Sequence, residues 1–151
     1  MNRELLSQLD LRQPESLGFT GAAGSKVQTW ILKPPNFDPA RKYPLLLAIH
    51  GGPQGVWGDA MSYRWNGQVF ASQGYVVLMP NPRGSTTFGQ QFIDDIRDDW
   101  GGKVYEDLMK GVDYALTLGY VDPNRLAAGG GSFGGYMASW LAGHTDRFKC
   151  L

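Results

Sequence analysis

The sequence predicts an α/β fold in which a mostly parallel sheet is covered by helical crossovers. Three observations point to it. Short apolar runs that stop at glycine or a polar turn occur in "LLLAIHGG" (residues 45–52), "GYVVLMPNPRGS" (74–85) and "NRLAAGGGS" (124–132), and such runs mark strands buried on both faces. Segments of helical period separate them: Arg64 to Gln73, and Val104 to Leu118, where Val104, Leu108, Val112, Ala115 and Leu116 fall on one stripe. No internal repeat or low-complexity linker interrupts the alternation.

Taken in order, residues 1–17 read as a lead-in, with leucines spaced for a short amphipathic turn that Pro14 closes, and residues 18–151 as one folded unit. "TGAAG" (Thr20 to Gly24) reads as a hairpin turn into "KVQTWILKP". There Val27, Thr29 and Ile31 alternate with Gln28, Trp30 and Leu32, the pattern of an edge strand. Turn-rich "PPNFDPARKYP" leads into the first apolar run. Gly119 stops the second helix, Asp122-Pro123 makes a tight turn before the third run, and Phe133 to Gly143 reads as the helix after it.

Composition narrows the function classes. The 42% apolar and 19% charged content is that of a globular domain, so disorder is not the default. Fourteen basic residues balance fourteen acidic ones, which gives no field to attract nucleic acid or an anionic membrane. A small or peptidic ligand fits better. Cys150 is the only cysteine, so neither a disulfide framework nor a thiolate metal site can be built, and any compartment is compatible with that. The N-terminus lacks the continuous apolar region of a signal peptide, and no run reaches transmembrane length. Asp94, Asp95, Asp98 and Asp99 match no oxygen cage for a cation and read as an acidic, solvated face. No metal and no cofactor is expected.

In an open α/β sheet, ligands meet the carboxyl ends of the strands. Three loops lie there: His50 to Gly58, Asn81 to Gly89, and Gly129 to Gly135. The third fits two templates, because Gly130-Gly131-Ser132-Phe133-Gly134 is G-x-S-x-G while Gly129 to Gly134 is also G-x-G-x-x-G. A dinucleotide fingerprint normally follows the first strand of its domain and needs an acidic residue about twenty positions later. This turn follows at least three candidate strands, and the sequence stops first. A nucleophilic serine on a strained strand-to-helix turn needs small flanking residues and two N–H groups for an oxyanion. Ser132 has the glycines, Phe133 supplies the following N–H, and "LLLAIHGGP" supplies a glycine loop at a neighbouring strand end. The two loops together favour the nucleophile over the phosphate cradle. Trp65 reads as packing near a helix start, while Trp57 is left between packing and the cleft.

"HGGPQGVWGD", "MPNPRGSTTFGQQF", "DWGGKVYEDLMKGVDY", "YVDPNRLAAGGGSFGGYMASW" and "HTDRFK" together resemble the catalytic domain of the prolyl oligopeptidase family of serine peptidases, nearest its acylaminoacyl-peptidase and dipeptidyl-peptidase V branches. That resemblance runs from about Gly18 to the last residue. It implies an α/β-hydrolase fold preceded by a β-propeller, short peptides as substrates, Ser132 as nucleophile, and Gly52 and Phe133 as oxyanion donors. It also implies that Phe133 and Tyr136 touch the substrate and that Arg83 is a scaffold residue under the site. An esterase or lipase on the same fold is the runner-up.

The order expected of the fold is Ser, then an acid, then His. After Ser132 come only His144 and Asp146, in the wrong order, and His144 lies twelve residues on, about 18 Å along a helix. A base must reach within about 3 Å. The sequence is therefore expected to hold the N-terminal half of the catalytic domain, without the triad acid and histidine and inactive by itself. Its partners would be the remainder of that domain and the propeller.

Overall fold

The structure is a computed structural model and describes residues 2–151. Its elements are α1 (Arg3–Leu6), β1 (Glu15–Thr20), β2 (Lys26–Leu32), β3 (Tyr43–Ile49), α2 (Gly67–Ser72), β4 (Val76–Asn81), α3 (Gln90–Asp94), α4 (Lys103–Thr117), β5 (Val121–Gly130) and α5 (Phe133–His144). The five strands form one sheet in the order β1-β2-β4-β3-β5. Strands β4, β3 and β5 run parallel, as the three apolar runs predict, and β2 and β1 add antiparallel on one side.

The sheet is covered on both faces because its central strands alternate between two apolar clusters. Val76 and Leu78 of β4 join Leu45, Leu47 and Ile49 of β3 under α4 and α5, while Val77 and Met79 join Leu32 and Ala71 of α2. The predicted α4 stripe is real: Val104, Leu108, Val112 and Ala115 are fully buried. Fully burying a leucine or valine contributes about 1.5–3 kcal/mol, so the sheet's centre is the fold's main apolar reserve.

Four differences from the sequence reading have physical causes. "KVQTWILKP" is not an edge, because β1 pairs along its outer side from Glu15↔Ile31 to Thr20↔Lys26. Strand β1 begins inside the predicted lead-in, and with only Phe19 buried it offered almost no apolar signal. The helix expected from Arg64 begins at Gly67, since Asn66 takes an extended conformation and caps the helix by accepting from the Gln68 N–H at 3.0 Å. Strand β5 already starts at Val121, ahead of the Asp-Pro turn. Tyr43 pairs with Val121 and Leu45 with Leu126, so residues 122–125 bulge outward. Asp122 holds that bulge, accepting from the Asn124 N–H at 2.9 Å and from Arg125 Nε at 2.7 Å.

Beyond β5, Lys149 donates its N–H to the Leu126 carbonyl at 2.8 Å and Cys150 accepts from the Ala128 N–H at 3.0 Å, so these residues run parallel along the strand's outer edge. Among the described residues, no helix is long and apolar enough to cross a membrane.

Candidate active site

Ser132 sits where β5 ends and α5 begins, at the carboxyl edge of the sheet, with φ 56° and ψ −120°. A residue with a Cβ rarely holds such a conformation, and its cost of about 1–3 kcal/mol is met only when the surroundings impose it. They do so through two glycines. A Cβ on Gly130 would collide with the Ile49 carbonyl oxygen and come within 2.8 Å of the Gly134 Cα; a Cβ on Gly134 would strike the same oxygen. Gly129, which only the phosphate template needs, has nothing within 4 Å of its Cβ position. Packing therefore demands the two glycines of G-x-S-x-G. Gly131 accepts the Trp65 indole against its backbone, which explains the small residue there, while the rest of Trp65 is exposed and lines the cleft beside the turn.

The side chain of Ser132 is exposed, and the His50-Gly51-Gly52 loop lies against it: a Cβ on Gly51 would come within 3.3 Å of the Ser132 Cβ and 3.1 Å of the Gly131 carbonyl oxygen. Phe133 is the first residue of α5, so its N–H is among the four that a helix leaves without an internal acceptor. Its ring is only 3% exposed and packs at 5.3 Å from Trp100 and 5.8 Å from Tyr136. Of the two aromatics expected at the substrate, Tyr136 is the one open to solvent, at 38% exposure.

Neither histidine serves Ser132. His144 lies at the far end of α5, stacked on Trp140 at 4.0 Å. The buried His50 ring contacts the Gly51 carbonyl through Nδ1 at 2.8 Å and Ser85 Oγ through Nε2 at 2.9 Å. Burial holds the His50 pKa below the ordinary histidine value of 6.5, against a smaller upward pull from the Gly51 carbonyl. Below about pH 6.5 the unfolded chain gains a proton that the folded chain refuses, so stability is level above about pH 6.5 and falls as pH drops from there to the folded value. Urea midpoints compared at pH 7.5 and 5.5 are expected to show this decrease, and His50→Asn to flatten it.

Trp57 is half-buried and does both jobs: its Nε1 donates to the Ala48 carbonyl at 3.0 Å, its N–H donates to Asn81 Oδ1 at 2.7 Å and its ring meets His50, while it also lines the cleft beside Gly51 and Gly131. Beneath the loop, Arg83 is 1% exposed and Asp107 of α4 fully buried. Asp107 accepts from the Ala22 N–H at 2.7 Å and the Arg83 N–H at 3.0 Å, its carboxylate lies 3.6 Å from Arg83 Nε, and Arg83 Nη2 donates to the Ala22 carbonyl. The sequence reading placed Arg83 as scaffold but missed Asp107. It sits on the helix stripe's inner face among valines and leucines, a polar interruption that is itself the available signal.

A sequence profile of the prolyl oligopeptidase family matches residues 61–151. This chain belongs to that family. Among the family's curated members, dipeptidyl-peptidase 5 of Trichophyton equinum is 51% identical over 136 residues, 88% of this chain and 19% of the relative. Dipeptidyl-peptidase 5 of Schizosaccharomyces pombe is 48% identical over 140 residues, 91% of this chain and 20% of the relative. A solved structure of acylaminoacyl peptidase in complex with Z-Gly-Gly-Phe-chloromethyl ketone superposes with TM-score 0.90 at 30% identity, covering 98% of this chain and 24% of that one. The chain thus spans about a fifth of the length of the curated relatives it matches. The fold is the α/β-hydrolase fold, of which these residues form a part, a five-stranded mixed sheet with flanking helices.

Proposed function

We propose that the protein carrying this chain is a serine peptidase that hydrolyses peptide bonds of short peptides through an acyl-enzyme on Ser132. The observation that carries the reading is the strained, exposed Ser132 held between Gly130 and Gly134 with the His50-Gly51-Gly52 loop against it. Similarity to dipeptidyl-peptidase 5 and to a peptide chloromethyl ketone complex supports peptides as the substrate class.

The Ser132 hydroxyl attacks the scissile carbonyl and gives its proton to a base. The N–H groups of Gly52 and Phe133 hold the oxyanion, each contributing about 3 kcal/mol to the transition state. The proton then passes to the leaving amine, and water cleaves the ester. Since neither His50 nor His144 reaches Ser132, the base and its orienting acid come from outside residues 1–151 in this reading. Tyr136 borders the substrate. A propeller ahead of residues 1–17 would restrict entry to short peptides.

The test is a fluorophosphonate probe with a panel of peptide p-nitroanilides on the intact protein. Labelling at Ser132 and peptide cleavage, both abolished in Ser132→Ala, are the expected results. Ester turnover without peptide cleavage would make it an esterase, and an unlabelled protein that binds NAD would return the turn to the nucleotide template.

A further inference from the structure

The carbonyl that His50 grips and the N–H that Gly52 is to offer the oxyanion are the two ends of one peptide group. Peptide planarity makes this matter: fixing the direction of the Gly51 carbonyl fixes that of the Gly52 N–H on the opposite side. Two glycines in succession leave the backbone free to rotate this plane, and Gly52 has φ +128°, a region that other residues rarely enter. Something other than intrinsic backbone preference must hold it.

We propose that His50 is a positioning residue: by donating Nδ1–H to the Gly51 carbonyl, it sets the plane of the Gly51–Gly52 peptide and aims the Gly52 N–H at the oxyanion. The inference rests on reading Ser132 as nucleophile and Gly52 as donor.

The surroundings support the assignment. Gly55 leaves room for this contact: a Cβ there would strike the Gly51 carbonyl oxygen and come within 3.2 Å of His50 Nδ1. The loop after β4 grips both partners, with Ser85 on His50 Nε2 at 2.9 Å and the Thr86 N–H on the Gly55 carbonyl at 3.0 Å. Ser85 is fully buried, and its Oγ also lies 2.6 Å from the Pro82 carbonyl, so one hydroxyl proton has two acceptors. A carbonyl can only accept, so the His50 contact to Gly51 requires the proton on Nδ1. In the neutral ring Nε2 then accepts from Ser85. In the protonated ring Nε2 donates to Ser85, whose own proton turns to Pro82. The bond to Gly51 survives in both states, so the Gly51 carbonyl fixes the proton on Nδ1 while Ser85 anchors the far side of the ring.

Two substitutions separate a donor from a space-filler, because an asparagine amide overlies Nδ1 and a glutamine amide overlies Nε2. In the intact protein, assayed on whichever peptide p-nitroanilide the wild type cleaves, His50→Gln is expected to lower kcat about tenfold to a hundredfold with KM within about twofold. His50→Asn, which keeps a donor toward Gly51, is expected to stay within about threefold of wild type in kcat. Should His50→Gln fail to fold, Ser85→Ala is expected to lower kcat and Ser85→Thr to restore it. Selective 15N labelling of histidine is expected to show a neutral His50 ring with the proton on Nδ1.

Equal kcat in His50→Gln and wild type, equal loss in both His50 variants, a change confined to KM, or a proton on Nε2 alone would each overturn the inference. A wild-type protein that neither labels at Ser132 nor cleaves peptides would remove the underlying reading, and this one with it.

Discussion

Gly134→Ala is expected to reduce fluorophosphonate labelling of Ser132 in the intact protein by about a hundredfold or more, because the added methyl displaces reacting groups that tolerate about 1 Å. The methyl would meet the Ile49 carbonyl oxygen, and also the Ile49 carbonyl carbon at 3.0 Å, both parts of the backbone. Ile49 is the last residue of β3 and pairs with Gly130, so it can yield only by moving the strand end or the start of α5. Moving the strand end carries His50 and Gly51 away from Ser132, and moving α5 carries the Phe133 N–H. Either way the serine loses a donor. Overpacking of this kind also costs about 1–3 kcal/mol of stability, so labelling should be read below the variant's unfolding midpoint. Gly129→Ala is the control: its methyl meets nothing within 4 Å, and labelling within about twofold of wild type is expected. If Gly134→Ala kept wild-type labelling, or Gly129→Ala lost it equally, the contact with Ile49 would not be what positions the serine.

Asp107→Ala is expected to destabilise the protein by about 3–5 kcal/mol, measured as the shift in the denaturant unfolding curve of the intact protein. The carboxylate is wholly buried, and its removal leaves the Arg83 guanidinium, at 1% exposure, with only the more distant Asp95 carboxylate at 3.9 Å as counter-charge. It also strands the N–H groups of Ala22 and Arg83, each of which has Asp107 as its acceptor. Asp107→Asn keeps an oxygen but not the charge, and a smaller loss is expected. A shift below about 1 kcal/mol for Asp107→Ala would mean that water reaches Arg83.

Much of the architecture was legible in the sequence, because β4 is buried throughout, β3 is apolar on both faces and each of the three parallel runs stops at glycine or a polar turn. What failed to show was the antiparallel flank. Strand β1 buries one phenylalanine, and β2 carries Gln28 and Thr29 among its apolar residues, so its polar content read as an edge. In the site, glycine spacing pointed to Ser132, and the space around Gly130 and Gly134 gives that spacing its reason. The rest was invisible for a different cause. Asp107, Ser85 and the orientation of His50 depend on which distant backbone groups the fold brings to them, and no local pattern encodes a partner 24, 35 or 85 residues away.

The same separations make Asp107 matter to the site as well as to the stability of the fold. Its carboxylate ties the turn after β1 to the loop after β4, and that loop in turn holds His50 through Ser85. Phe133 brings its N–H to Ser132 as the next residue, but the His50-Gly51-Gly52 loop is held against the serine by contacts 24, 35 and 85 residues apart, whose closure costs chain entropy. The glycine loop that faces Ser132 thus depends on contacts made far along the chain as well as on its own two glycines.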